Sequence, residues 1–86
     1  MYRAIFSHRA EKAFVGLSHR EAQRIKEAIQ RLIEDPRIRG TIKLENAPVA
    51  RYRYRIGGYR ILFDIDDEAK IVEVLDIKKR DERTYK

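Results

Sequence analysis

The sequence predicts an α+β domain of element order β-α-α-β-β-β, a mainly antiparallel sheet with an N-terminal helical hairpin packed on one face. Three observations carry that expectation. Between residues 7 and 35 apolar residues recur at helical spacing behind two serine caps. Between residues 51 and 65 they alternate as in a strand on both sides of a Gly57-Gly58 step. Residues 70–77 then form a nearly continuous apolar run. At 86 residues the chain has room for about one sheet and two helices, so residues 1–86 read as one domain.

Tyr2–Phe6 suits a short opening strand, and Ser7 is placed to cap a short helix on which Ala10, Ala13, Phe14 and Leu17 follow helical spacing. Gly16 weakens the end of that helix. Ser18-His-Arg-Glu21 is a capping-box pattern, with Leu17 and Ala22 positioned as a hydrophobic staple. Behind it Ala22, Ile25, Ala28, Ile29, Leu32 and Ile33 form one stripe, and this second helix is expected to reach Glu34 or Asp35, where Pro36 stops it. Arg37–Ala50 contains Gly40 and Pro48 and reads as a loop with a short extended piece near Ile42–Leu44.

A two-residue Gly-Gly connection is a strong hairpin signal, because the primed turns need a positive φ that glycine adopts without steric penalty. It also sets the pairing: Ile56 faces Tyr59, Tyr54 faces Ile61 and Tyr52 faces Phe63, while on the other face Arg55 opposes Arg60, Arg53 opposes Leu62 and Arg51 opposes Asp64. The tyrosines are expected in the core and the arginines outside. Asp66–Ala69 is a polar turn. Lys70–Ile77 reads as a central strand covered on both faces; because Ile71, Leu75 and Ile77 are apolar and so are Val72 and Val74, its register against the preceding strand stays open. Lys78–Lys86 reads as a turn of helix or a loose tail.

The formal net charge of +6 favours an acidic partner, and its distribution narrows the choice. The segment from Ser18 to Asp35 is charge-balanced and Ile61–Glu73 is acidic, so the excess sits in the Arg51–Arg60 hairpin and the Lys78–Lys86 tail. Like charges opposed across a strand pair destabilise it, and the diagonal neighbour Arg53 adds a third to Arg55 and Arg60. A phosphate-rich ligand would reward that arrangement, because guanidinium groups bind phosphate oxygens bidentately and stay charged at any physiological pH. The chain has no cysteine, hence no disulfide and no thiolate, and nothing near its N-terminus reads as a signal peptide or a membrane span. A cytoplasmic protein without cofactor or metal is expected. Its charged fraction of 40% with a single Met and no Trp resembles the bias of proteins from hot environments.

At this level of detail the sequence resembles the RelE/ParE toxin superfamily of prokaryotic toxin–antitoxin systems. The resemblance runs through the first strand, the helical hairpin ending in Glu34-Asp-Pro-Arg37, Lys43-Leu44, the run Tyr54-Arg-Ile-Gly-Gly-Tyr-Arg-Ile-Leu-Phe-Asp-Ile-Asp-Asp67 and the closing Lys79-Arg-Asp-Glu-Arg-Thr-Tyr85. Its RelE branch implies a ribosome-dependent, metal-independent endoribonuclease that cuts mRNA in the decoding site and is held by a cognate acidic antitoxin, within a higher-order complex. Carried over residue by residue, the resemblance assigns Arg60, Arg80 and Tyr85 to catalysis and Arg51, Arg53, Arg55 and Lys79 to RNA binding. Many members have a His-Arg pair with a tyrosine four residues after the arginine; here Lys79 precedes Arg80 and Tyr85 comes five later. The ParE branch implies instead a non-catalytic inhibitor of DNA gyrase, and a third possibility is a module whose sole ligand is an antitoxin.

RNA cleavage by 2′-hydroxyl attack needs a base, cations on the phosphorane and an acid for the leaving 5′-oxygen. His8 and His19 sit at expected helix starts away from the arginines, so the proton work falls to Tyr85 or Lys79, with Arg60 and Arg80 on the scissile phosphate. Each residue also has a purely structural reading. Arg60 could pair with Asp76, Arg51 with Asp64, Arg80 with Asp81 or Glu82, and Tyr85 could be an aromatic anchor. Tyr52, Tyr54 and Tyr59 are core by alternation, although Tyr59 lies beside the turn and could stack on a base.

Overall fold

The computed structural model describes residues 1–45 and 49–79, so Arg80 and Tyr85 lie outside the described residues. The elements run β1 (Arg3–Phe6), α1 (His8–Val15), α2 (His19–Glu34), β2 (Thr41–Lys43), β3 (Tyr52–Ile56), β4 (Tyr59–Asp66) and β5 (Ile71–Lys79). They build one five-stranded sheet of order β1-β5-β4-β3-β2, in which β1 runs parallel to β5 and every other neighbour is antiparallel. The extended piece expected near Ile42–Leu44 is a true edge strand, which adds a fifth strand to the expected four.

Both helices start where the serines place them. Ser7 accepts the Ala10 N–H and opens α1, and Ser18 and Glu21 close a reciprocal capping box at the start of α2. The buried stripe of α2 is Ile25, Ala28, Ile29 and Leu32, and it rests on Ile61, Phe63, Val72, Val74 and Ile77 of the sheet. The largest fully buried side chains among the described residues are Phe63, Ile25, Leu32, Ile61, Val72 and Val74. Each such burial contributes about 1.5–3 kcal/mol, so this side of the sheet supplies most of the fold's driving force. Tyr52 stacks on Phe63 with ring centres 5.7 Å apart, which brings the base of the hairpin into the same core.

The register of β5 carries a bulge at Leu62/Phe63, which explains why its pattern reads two ways. Phe63 pairs with Val74 and Leu62 with Asp76, leaving Leu75 as the extra residue. Before the bulge Val72 and Val74 face the helices; after it Ile77 does. The strand is therefore interior to the sheet, as expected, but only its helix side is covered throughout. The open side carries Glu73, Asp76 and Lys78, of which Glu73 and Lys78 are exposed. Ser7 secures the irregularity from the neighbouring strand end, since its hydroxyl donates to the Leu75 carbonyl at 2.8 Å while still capping α1.

A three-way clasp ties the far end of the sheet. Arg37, just past α2, donates both terminal nitrogens to the two Asp67 oxygens at 2.9 and 2.8 Å, and the Tyr2 hydroxyl donates to Asp67 Oδ1 at 2.6 Å. One carboxylate in the β4–β5 turn thus joins the chain start to the end of the helical hairpin. Arg37 first, and then the Tyr2 hydroxyl, hold the Asp67 carboxyl down from 3.8 to about 2. A depressed folded pKa means stability that is present above the unfolded value and lost as pH falls through the folded one. Asp67→Asn is therefore expected to melt below the wild type at neutral pH. That gap should close as pH drops from about 4 towards 2, a window set by the shift from 3.8 to about 2. Thermal unfolding followed by circular dichroism over that range is the check, and a gap independent of pH would contradict the role given to this carboxylate.

Candidate nucleic-acid interface

The site begins with a backbone angle. Gly57 has φ +56 while its neighbour Gly58 does not share the positive angle, the pattern of a type II′ turn. A Cβ at position 57 would stand 3.1 Å from Arg24 Nη1, the far end of an exposed side chain that can give way, so it is the backbone conformation that selects glycine there. The turn gives the pairing Ile56 with Tyr59, Arg55 with Arg60, Tyr54 with Ile61, Arg53 with Leu62 and Tyr52 with Phe63. Tyr52, Tyr54, Ile56 and Tyr59 pack against the core. Alternation sends Arg53, Arg55 and Arg60 to the open face.

Following the register across the strands resolves this face into rows. The first is entirely cationic, Arg55 on β3, Arg60 on β4 and Lys78 on β5. In the second, Ile42, Arg53, Leu62 and Asp76 lie side by side on β2 to β5. The third turns acidic, with Asp64 beside Glu73 and Glu73 beside Ile5 of β1. Directly opposed side chains in a strand pair have Cβ atoms about 4.5–5.5 Å apart, well within a Debye length, so the first row concentrates positive potential at the hairpin end. Arg53 Nε is shielded from water with no acceptor among the described residues, which holds that guanidinium partly desolvated.

The structure brings Arg53, Arg55 and Arg60 together and sets Arg51 at the edge of the group. The Arg51 main-chain N–H, rather than its guanidinium, donates to Asp64 Oδ1 at 2.7 Å. Asp76 is buried, faces Leu62 one row from Arg60, and has Arg9 Nη1 of α1 at 4.0 Å. Lys78, which the sequence does not single out, stands directly across from Arg60; the signal that finds it is the bulge, which sets the parity of the end of β5. Lys79 goes to the other side. It pairs with Tyr59 and lines a cavity of about 270 Å³ with Arg20, Glu21, Arg24, Ile25, Ile56 and Gly58 beneath the hairpin tip.

Tyr59 is likewise turned to the helices. Its hydroxyl is hydrogen-bonded to the Glu21 carboxylate, which together with partial burial pushes it up to about 12, so it neither stacks from the open face nor gives up its proton near neutrality. Glu21 is correspondingly lowered, by Tyr59 first and then by Ser18. His8 and His19 are the first residues of α1 and α2, and neither belongs to the rows of the open face. Among the described residues no cluster of His, Asp and Glu has the makings of a metal site, and no helix is long and apolar enough to cross a membrane. What the face can do chemically is bind successive anionic groups and stabilise charge that builds on one of them.

Comparison with known proteins agrees with this geometry. Residues 4–84 match the family model described as the ParE toxin of type II toxin–antitoxin systems. A search of curated protein sequences gave no match. Among solved structures, the toxin–antitoxin complex RelBE2 from Mycobacterium tuberculosis is similar at 29% identity and a TM-score of 0.80, over 92% of this chain and 98% of that one. The isolated Escherichia coli RelE toxin is similar at 27% identity and a TM-score of 0.81, over 99% of this chain and 92% of that one. The archaeal RelE–RelB complex from Pyrococcus horikoshii is similar at 28% identity and a TM-score of 0.79, over 94% and 97%.

The opposed pair at the hairpin end has a consequence for stability. Arg55 is exposed and faces Arg60, so Arg55→Ala removes repulsion and little packing. Its unfolding free energy is expected to stay within about 0.5 kcal/mol of the wild type or to rise, with the difference shrinking as salt is added. Denaturant titrations at low and high ionic strength measure this. A clear destabilisation that salt does not change would mean that Arg55 is held by native contacts.

Proposed function

The chain belongs to the RelE/ParE toxin superfamily, a toxin of a type II toxin–antitoxin system, and from that premise we propose that it is a ribosome-dependent endoribonuclease that cleaves mRNA in the decoding site. The observation that carries this reading is the row Arg55, Arg60 and Lys78, three cations side by side on three strands of an open sheet face. Such a row is costly to a free protein and suits an extended phosphate backbone.

In this reading Arg60 lies over the scissile phosphate, joined by Arg80 of the C-terminal segment, and the 2′-oxygen attacks the adjacent phosphorus as the 5′-oxygen leaves. The two guanidinium groups neutralise charge that grows on the non-bridging oxygens, which lowers the barrier more than it lowers the ground state. Arg53 and Arg55 hold the flanking phosphates, with Arg51 at the margin and Lys78 extending the row. Tyr85 is assigned to proton transfer; Lys79, on the helix side, is better placed to bind backbone than to reach the same phosphate. The domain itself offers cationic stabilisation without a matched acid and base, so the ribosome must supply alignment of the 2′-oxygen with phosphorus. Positioning of that kind can lower a barrier by about 7–11 kcal/mol. An acidic antitoxin would silence the toxin by covering the same face, attracted rapidly by charge and retained by apolar contact.

One observation favours a second reading. The matching family model is that of the ParE toxins, and a gyrase inhibitor would use the same face for an acidic protein surface. The two separate cleanly on induction. The nuclease reading expects growth arrest with new mRNA 5′ ends inside translated frames, mapped by primer extension, and unimpaired supercoiling by gyrase. Arg60→Ala, checked for an unchanged melting temperature, should abolish those ends. Intact mRNA together with inhibited supercoiling would overturn the nuclease reading in favour of the other.

A further inference from the structure

The cavity beneath the hairpin tip is not used by the reading above. Its rim carries three cations from two elements. Arg20 and Arg24 come from the first turns of α2, and Lys79 comes from the end of β5. All three are exposed. Arg20 and Arg24 are one helical turn apart, where like charges face each other and weaken a helix, and neither makes a hydrogen bond or an ion pair with a described residue. Among the described residues the one carboxylate on the rim is Glu21, which is engaged by the Tyr59 hydroxyl and by the Ser18 N–H. Glu21 remains ionised and offsets part of the charge, with Lys79 among the groups that lower it, so among the described residues three cations face one carboxylate and the pocket stays net positive.

Position gives this excess a direction. Arg24 lies against the Gly57 turn, and alternation along β5 puts Lys78 beside Arg60 on the open face but Lys79 beside Tyr59 on the pocket side. Tandem lysines thus straddle the edge of the sheet and connect two cationic surfaces around the hairpin tip. We propose that Arg20, Arg24 and Lys79 form a second phosphate-binding subsite, which engages an RNA backbone beyond the arginine row and around the Gly57-Gly58 turn. The inference rests on the ribosome-dependent reading and adds to it a contact with RNA outside the strand being cut. Arginine on two successive helical turns can bridge consecutive phosphates, and Lys79 adds a point charge at the cavity mouth.

The test is co-sedimentation of the purified protein with prokaryotic ribosomes across a range of salt concentrations, comparing wild type, Arg20→Ala/Arg24→Ala, Arg20→Lys/Arg24→Lys and Arg53→Ala/Arg55→Ala. The alanine pair at 20 and 24 is expected to bind about tenfold more weakly and to flatten the slope of log affinity against log salt by about 2, one per lost phosphate contact. Its melting temperature should match the wild type, and the lysine pair should recover most of the binding, which a structural role would not produce. Wild-type affinity and slope in the alanine pair, with the 53/55 pair impaired, would overturn the subsite and leave the ribosome reading standing. Loss of binding to an acidic antitoxin peptide but not to ribosomes would overturn it in favour of a protein contact. Failure of the wild type itself to sediment with ribosomes would remove the reading and the subsite together.

Discussion

The placement of the hairpin arginines on the open face follows from the two-residue turn at Gly57-Gly58. With φ +56 at Gly57, the two-residue turn admits one pairing of β3 with β4. A slip of one residue would bury the arginines and expose the tyrosines. The same constraint thus produces the stack of Tyr52 on Phe63 in the core and the opposition of Arg55 to Arg60 outside. Core formation and charge crowding are two results of one register, and the first offsets the second.

That coupling explains how a small domain tolerates a row of like charges. The helix side of the sheet holds the fully buried side chains, and the clasp of Tyr2, Arg37 and Asp67 secures the end of the sheet remote from the hairpin. Acidic residues collect towards that remote end, with Asp64 and Glu73 adjacent in the ladder, so the open face grades from positive to negative along the strands. A ligand that carries regular negative charge is drawn to the hairpin end in preference to the other. Binding there removes the repulsion that the free protein carries.

How much of this could be read from residues alone depended on the kind of constraint. The hairpin pairing was legible because a two-residue glycine turn leaves no freedom in register, and the helix starts were legible because Ser7 and Ser18 carry their caps in sequence. The pairing of β4 with β5 was not, since a bulge reverses parity at Leu75 and makes both alternations apolar. That one irregularity hid Lys78 as the neighbour of Arg60 and hid the side to which Lys79 turns. The short β2 was only hinted at, because a three-residue edge strand owes its pairing to β3 rather than to its own pattern. Arg20 and Arg24 belong to a charge-balanced helical segment and carry no signal of their own until the fold sets them beside Lys79. Arg80 and Tyr85 lie outside the described residues, and their assignment rests on the resemblance.

Repulsion between Arg55 and Arg60 at the hairpin end of the free protein should be relieved by a bound polyanion. A double-mutant cycle on Arg55 and Arg60, read as unfolding free energy at low salt with and without a short polyphosphate, measures this term directly. In the free protein the cycle should return an unfavourable coupling of about 0.2–1 kcal/mol between the two arginines, falling to zero or changing sign when polyphosphate is bound. A coupling that is favourable in the free protein, or that polyphosphate leaves unchanged, would mean that the paired arginines carry no repulsion for a ligand to relieve.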